Sequence, residues 1–211
     1  MQQQLRQLCL HRKAYSKMIR VLLGLGSNKC FNGKTPPELL GGAVERLSKV
    51  LVNAKFSSVY KTRAMYVEDQ DDFYNMAAVG FVPDETTPEN LLKTTQKIEA
   101  EFGRDRSKEI RFGPRPLDID IELFGNDKTD TPNLQIPHPR VKERAFVLVP
   151  AIEILDESSD KTIRDEFSSA LALLDTAEIE QLGSLDSLLG EKSGVILKSQ
   201  AVRNGTESDK C

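Results

Sequence analysis

Three features of the 211-residue sequence predict an α+β sandwich with the element order β-α-β-β-α-β. A buried-strand run ends on a glycine-rich turn. Two Thr-Pro-x-Glu-like starts open amphipathic helices. A short segment near the middle alternates acidic and apolar residues with the period of a strand.

The first strand is read over Ile19 to Gly24 and runs into the turn Gly24-Leu25-Gly26-Ser27-Asn28. Thr35-Pro36-Pro37-Glu38 then starts a helix. Thr35 caps it, Pro36 fits the first helical position and Glu38 completes a capping box. This helix carries Leu39, Leu40, Val44, Leu47, Val50 and Leu51 on one side. Phe56 to Lys61 and Phe73 to Val82 have strand character, the second ending at Pro83, with a polar loop from Thr62 to Asp72 between them. Thr87-Pro88-Glu89 repeats the cap-and-proline start, and Leu91, Leu92, Thr95 and Ile98 lead to Phe102 before Gly103 stops the helix. A basic loop extends to Leu117, and the strand Asp118 to Phe124 closes on Gly125-Asn126-Asp127. The order is that of a ferredoxin-like sandwich, with helices on one face of a mainly antiparallel sheet. Leu134 to Pro150 is expected to add a loop, a short helical turn and another edge element.

Three segments follow from this reading: a basic N-terminal extension over 1–18, a catalytic-type domain over 19–155 and a C-terminal extension over 156–211. The extension is expected to hold a helix from Thr162 to Leu174 and to end in a disordered tail from Asn204 to Cys211. The first twenty residues contain Arg6, Arg12, Lys13, Lys17 and Arg20 and no acid, which suits a mitochondrial transit peptide or a disordered basic tail. Cys9, Cys30 and Cys211 are odd in number and far apart. They indicate neither a disulfide framework nor a structural zinc site and favour an intracellular setting, mitochondrial or cytoplasmic. The net charge of −3 gives no signature of a nucleic-acid partner, and no apolar run reaches membrane-spanning length.

The chemistry is concentrated in Arg104 to Asp120. Asp118 and Asp120 share one face of a strand, with Cα atoms roughly 6.6 Å apart. Two such carboxylates can converge on a pair of magnesium ions, which lie about 3.5–4 Å apart in two-metal sites. Hard oxygen ligands without His or Cys nearby favour magnesium over zinc. An isolated Asp-x-Asp is more often a solvated strand face, so the acids are weighed with the loop before them. Arg104, Arg106, Lys108, Arg111 and Arg115 stand there against only Asp105 and Glu109, and Gly113-Pro114 and Pro116 shape the segment as a loop. Basic loop and paired acids together suit a nucleoside triphosphate. His138, between two prolines and near Arg140 and Arg144, suits phosphate contact better than a nucleophilic role. Gly24-x-Gly26 is not a Rossmann fingerprint, because Lys29 takes the third glycine's place, and no Walker A loop occurs.

Gly113-Pro114-Arg115-Pro116-Leu117-Asp118-Ile119-Asp120-Ile121 resembles the signature of the hydroxymethyldihydropterin pyrophosphokinase family. Leu25-Gly26-Ser27-Asn28, Ser57-Ser58-x-Tyr60-x-Thr62, Asp69-Gln70-x-Asp72-Phe73-x-Asn75, Ile136-Pro137-His138-Pro139-Arg140 and Arg144-x-Phe146-Val147-Leu148-x-Pro150 agree in order, so the likeness covers Ile19 to Leu155. The resemblance implies diphosphate transfer from ATP to 6-hydroxymethyl-7,8-dihydropterin with release of AMP. It implies Asp118 and Asp120 as ligands of two magnesium ions, and Arg104 and Arg115 as stabilisers of the moving diphosphate. It assigns ATP to Gln96, Glu99, Arg106, Lys108, Arg111, Phe112, Ile121, His138 and Arg144. It assigns the pterin to Thr62, Met65, Phe73, Asn75, Phe112 and Phe146, with Phe73 and Phe146 sandwiching the ring. Without the resemblance, Phe73 and Phe146 read as core and Asn75 as a strand-edge residue.

Arg63-Ala64, Phe112 and Glu122 depart from the family pattern. Glu122 shares the acids' face where a bulky apolar residue is usual. An exposed strand position is expected for it, a third carboxylate near the metals being the other reading. Members of this family are often fused to dihydropteroate synthase, so a fragment of such a fusion, or a partner synthase, is compatible with the sequence. A ferredoxin-like RNA-binding module is disfavoured by the acids at 118 and 120 and by a poor RNP1 match. An inactive pterin- or ATP-binding scaffold is the remaining rival.

Overall fold

The computed structural model describes residues 18–64, 70–108 and 113–190. The basic residues Arg6, Arg12, Lys13 and Lys17, Met65, Arg111, Phe112 and the segment Asn204 to Cys211 lie outside them.

The chain forms β1 (Met18–Ser27), α1 (Pro36–Leu47), β2 (Val52–Phe56), β3 (Val59–Thr62), β4 (Phe73–Pro83), α2 (Pro88–Glu101) and β5 (Asp118–Phe124). These seven give the anticipated order with one strand more. Both helix starts are capped as their residues dictate. The Thr35 N–H donates to Glu38 Oε2 at 2.7 Å, and Thr87 Oγ1 accepts from the Asn90 N–H at 3.2 Å. One anticipated strand is broken: Phe56 to Lys61 is split at Ser57-Ser58, so β2 and β3 both pair with β4. Ser57 Oγ accepts from the Ala77 N–H at 2.8 Å, filling the gap in the ladder.

Beyond β5 come the hairpin β6 (Thr129–Thr131) and β7 (Leu134–Ile136), α3 (Ala145–Ile154), α4 (Lys161–Leu171), β8 (Ile179–Gly183) and α5 (Leu185–Leu189). The main sheet is antiparallel in the order β5-β1-β4-β3-β8, with β2 on β4. The residues expected to give an edge element before Pro150 instead form α3, which is apolar nearly all round and carries Pro150 inside it. An all-round apolar helix is stable only when covered on several sides. Here the sheet and α4 supply that cover.

The sheet is therefore packed on both faces, not on one. Val21, Leu23, Leu25, Ile119 and Ile121 meet α1 and α2. Leu22, Ala77 and Val79 meet α3 and α4, with Leu148 and Phe167 fully enclosed. Each such side chain contributes roughly 1.5–3 kcal/mol on burial. Glu153 of α3 ties the second layer to the strand break, accepting from the Ser58 N–H at 3.0 Å and the Tyr60 hydroxyl at 2.9 Å. Among the described residues no helix is long and apolar enough to cross a membrane.

Candidate active site

The side-chain alternation of β5 does what its sequence dictates at its start. Ile119 and Ile121 enter the core, while Asp118 and Asp120 face a cleft on the other side. The register then slips. Leu23 pairs with Ile121 and Leu22 with Leu123, so Glu122 is the extra residue of a β-bulge. The His138 N–H donates to the freed Glu122 carbonyl at 3.0 Å, which brings the 138–144 loop to the cleft.

Arginines surround the acids. Gly103, at φ +88°, ends α2 in the left-handed region and turns the chain back, placing Arg104 beside β5. Arg104 Nη1 donates to Asp118 Oδ1 and, at 2.6 Å, to Glu99 Oε1. Glu99 is buried on α2. It also accepts from Arg106 Nη2 at 2.7 Å and from the Ile119 N–H at 2.8 Å. The 113–117 loop is pinned to the first turn: Ser27 Oγ donates to the Pro116 carbonyl at 2.6 Å, and the Arg115 N–H donates to Asn28 Oδ1 at 2.8 Å. Arg115 Nη1 then reaches Asp118 Oδ2 at 3.0 Å, and Arg144 Nη1 lies 3.7 Å from Asp120 Oδ2.

Charge is distributed unevenly between the two aspartates. Burial would raise the Asp118 pKa, but the Arg115 and Arg104 guanidiniums outweigh it and hold the carboxyl below its ordinary value. Burial and the neighbouring Asp118 charge push Asp120 up to about 7. Glu122, 1% exposed, is pushed up to about 8 by burial and by Asp120. Burial, aided by Arg144, lowers His138 to about 4, and its Nδ1 accepts from the Arg140 N–H at 3.2 Å. The imidazole is thus neutral, with its proton on Nε2. Burial likewise raises Glu99, against the pull of its arginine partners.

Two aromatic rings flank the opposite part of the cleft. The Arg115 guanidinium lies 5.9 Å from the Phe73 centroid and the Arg144 guanidinium 5.7 Å from the Phe146 centroid. Between them Asn75 Nδ2 donates to Thr62 Oγ1 at 2.8 Å, which orients the amide. Thr62, Phe73, Asn75, Arg104, Arg115, Asp118, Asp120, His138, Arg144 and Phe146 all line this one cleft.

Other anticipated residues stand elsewhere. Gln96, half-buried on α2, and Glu99 are not on the cleft wall. Arg106 is held by Glu99, and exposed Lys108 pairs with Asp105 at 2.9 Å. The Ile121 side chain is enclosed in the core on the far face. Glu122 is buried on the cleft wall, which corrects the expectation of an exposed strand position. Gly24, Arg63 and Gln70 also line the cleft. The doubled hydrogen bond between Asn28 and Arg115 went unread, although the adjoining Leu25 to Asn28 motif pointed to that turn.

The cleft suits a divalent cation by the chemistry of its donors. Both Glu122 carboxyl oxygens are buried without a hydrogen-bond partner, and burial with the Asp118 charge raises Asp120 to about 7, a cost that a bound cation would relieve. Among the described residues no three His, Cys, Asp or Glu side chains converge as a cage. Magnesium needs none, since it binds through one or two carboxylates with waters and substrate phosphates.

The family profile of 7,8-dihydro-6-hydroxymethylpterin-pyrophosphokinase (HPPK) matches residues 22–156. A 2-amino-4-hydroxy-6-hydroxymethyldihydropteridine pyrophosphokinase of Bacillus subtilis is 46% identical over 103 residues, covering 49% of this chain and 59% of the relative. A relative of the same name from Methylorubrum extorquens is 39% identical over 170 residues, covering 78% of this chain and 99% of the relative. The crystal structure of Plasmodium falciparum wild-type HPPK-DHPS shares the fold at a TM-score of 0.52 and 15% identity, over 74% of this chain and 44% of that one. The match thus spans little more than half of the Bacillus relative and less than half of the Plasmodium chain.

Proposed function

Because the chain belongs to the 7,8-dihydro-6-hydroxymethylpterin-pyrophosphokinase family, we propose that it transfers diphosphate from ATP to the hydroxymethyl group of 6-hydroxymethyl-7,8-dihydropterin. The pterin oxygen attacks the β-phosphorus and a new P–O bond forms. The bond between the β-phosphorus and the α,β-bridging oxygen breaks, AMP leaves with its electron pair, and the hydroxyl proton passes to solvent.

The observation that carries this reading is the single cleft in which Asp118 and Asp120, ringed by Arg104, Arg115 and Arg144, adjoin the ring-lined recess of Phe73, Asn75 and Phe146. Phe73 and Phe146 take the two faces of the flat pterin, and Asn75, oriented by Thr62, reads its hydrogen-bonding edge. Arg104 and Arg115 neutralise the diphosphate in flight. Arg144 and the neutral Nε2–H of His138 contact the ATP phosphates. Asp118 and Asp120 would hold two magnesium ions, which when bound shield phosphate charge and polarise the P–O bonds. Glu99 and Arg106 support the nucleotide side from behind Arg104. Gln96, Lys108, Arg111, Phe112 and Ile121 on the nucleotide side, and Met65 and Phe112 on the pterin side, complete the family's set. Positioning and electrostatics supply most of the rate.

A dihydropteroate synthase partner or fusion belongs to the same reading, supported by the likeness to the HPPK-DHPS chain. So does an intracellular site of action, mitochondrial or cytoplasmic, supported by the cysteine pattern. An AMP-release assay with ATP, magnesium and the pterin alcohol tests the activity. Turnover is expected to depend on magnesium and to fall by several orders of magnitude in Asp118→Ala. ADP as the product would refute the diphosphate reading, and equal AMP from the variant would refute the metal assignment.

A further inference from the structure

Asp118 is the most heavily compensated acid of the cleft. Its two oxygens meet Arg104 and Arg115. Among the described residues Asp120 has Arg144 as its ion-pair partner, at 3.7 Å, and Glu122, two residues farther along β5 and on the same face, lines the same cleft. Glu122 is 1% exposed, and neither of its carboxyl oxygens has a hydrogen-bond partner. Among the described residues His138 has its Nδ1 3.9 Å away, but that atom is engaged as an acceptor from the Arg140 N–H and offers no proton, while Arg144 acts from farther off. Room for the carboxyl depends on Gly24. A Cβ there would stand 2.8 Å from Glu122 Oε1.

A carboxylate buried with four empty lone-pair directions beside a second acid is costly while ionised, and a cation filling the space offsets that cost. Arg144 is shared between the two acids, its Nη1 3.7 Å from Asp120 and its charge also favouring ionised Glu122, so one guanidinium serves two carboxyls. We propose that Asp120 and Glu122 together form a divalent-cation site of this chain that loads before the nucleotide arrives, with water completing the shell. Two carboxylates and water are a sufficient donor set for magnesium or manganese. The site shares the premise of the reading above, that the β5 carboxylates face a cation, and adds Glu122 to it.

The test is titration of nucleotide-free protein with Mn2+, with free Mn2+ followed by electron paramagnetic resonance. The wild type is expected to bind in the absence of ATP. Glu122→Leu and Glu122→Gln should each weaken that binding at least tenfold, and Asp118→Asn should weaken it less than either. The glutamine variant preserves size, so the comparison survives if the leucine repacks the cleft. Binding within twofold of wild type in both Glu122 variants would overturn the proposal. So would a wild type that binds no Mn2+ without ATP. Either result would leave AMP formation, measured separately, to judge the transfer reading.

Discussion

Asn28 and Arg115 hold each other through two hydrogen bonds. The Asn28 N–H donates to the Arg115 carbonyl at 3.1 Å, and the Arg115 N–H donates to Asn28 Oδ1 at 2.8 Å. The side-chain amide also donates to Gln70 Oε1 and to the Asp71 carbonyl, both at 3.2 Å. One residue of the first turn therefore fixes the backbone that carries Arg115 and the chain leading to Phe73. Asn28→Ala should lower kcat by about 100-fold, the scale of loss when a catalytic group shifts by an ångström. The fold should persist, since the core is untouched. Steady-state AMP release, with far-UV circular dichroism as control, checks this.

Glu99 is the anchor behind the basic loop. Its carboxylate takes Arg104, Arg106 and the Ile119 N–H in a nearly solvent-free position. Glu99→Leu takes from Arg104 one of its two carboxylate partners and leaves the buried Ile119 N–H without its acceptor, which is expected to cost about 1–3 kcal/mol of stability. The urea midpoint should drop accordingly, and kcat should fall with it. A variant with an unchanged midpoint would show that the network carries no stability.

His138 sets a pH window. Its pKa is lowered to about 4 by burial and by Arg144, against an ordinary value of 6.5. In the folded chain it stays neutral, whereas the unfolded chain takes up the proton as pH falls through 6.5. Its contribution to stability is therefore full above about pH 7 and declines as pH falls toward about 4. The His138 imidazole resonances of ligand-free protein should show no titration between pH 8 and 5, and His138→Gln should flatten the acid side of the stability profile.

Arg20 and Asp160 join the first strand to the start of α4, with the Asp160 side chain only 3% exposed and also accepting from the Asp156 N–H at 2.9 Å. Asp160→Ala leaves a partly buried guanidinium unpaired and should cost about 2–4 kcal/mol, below the fully buried limit because Arg20 is partly open to water. Limited proteolysis should then cut first around residues 156–161.

Glu122→Leu should have the opposite sign in EDTA. It removes a buried carboxyl that has no partner and supplies apolar contact, so metal-free protein should gain about 1–3 kcal/mol. Thermal denaturation with and without Mn2+ checks this, and the gain should shrink when the cation is present.

What could be read in advance has a local cause. Thr35, Pro36 and Glu38 make a helix start through contacts within four residues. Thr87 does the same. The alternation of Asp118 to Ile121 separates acid from core because successive strand residues face opposite ways. Those elements, and the gathering of basic residues before the acids, follow from chain geometry alone.

What escaped depends on partners distant in sequence. Phe146 to Pro150 has the composition of a strand, and it is helical because a sheet face and α4 bury it from two sides. Ile179 to Gly183 has little strand signal of its own, and it extends the sheet because β3 offers an open edge. A period of two puts Glu122 on the acids' face, where an exposed position is expected. The 138–144 loop, held by the His138 N–H on the Glu122 carbonyl, covers that end of the strand, and the carboxyl is buried on the cleft wall. The amino-acid order by itself determined where α1 and α2 start and which acids share a face. Only the assembled sheet decided which of those acids are buried, paired or left without a partner, because desolvation and ion pairing depend on neighbours that the chain brings together from far apart.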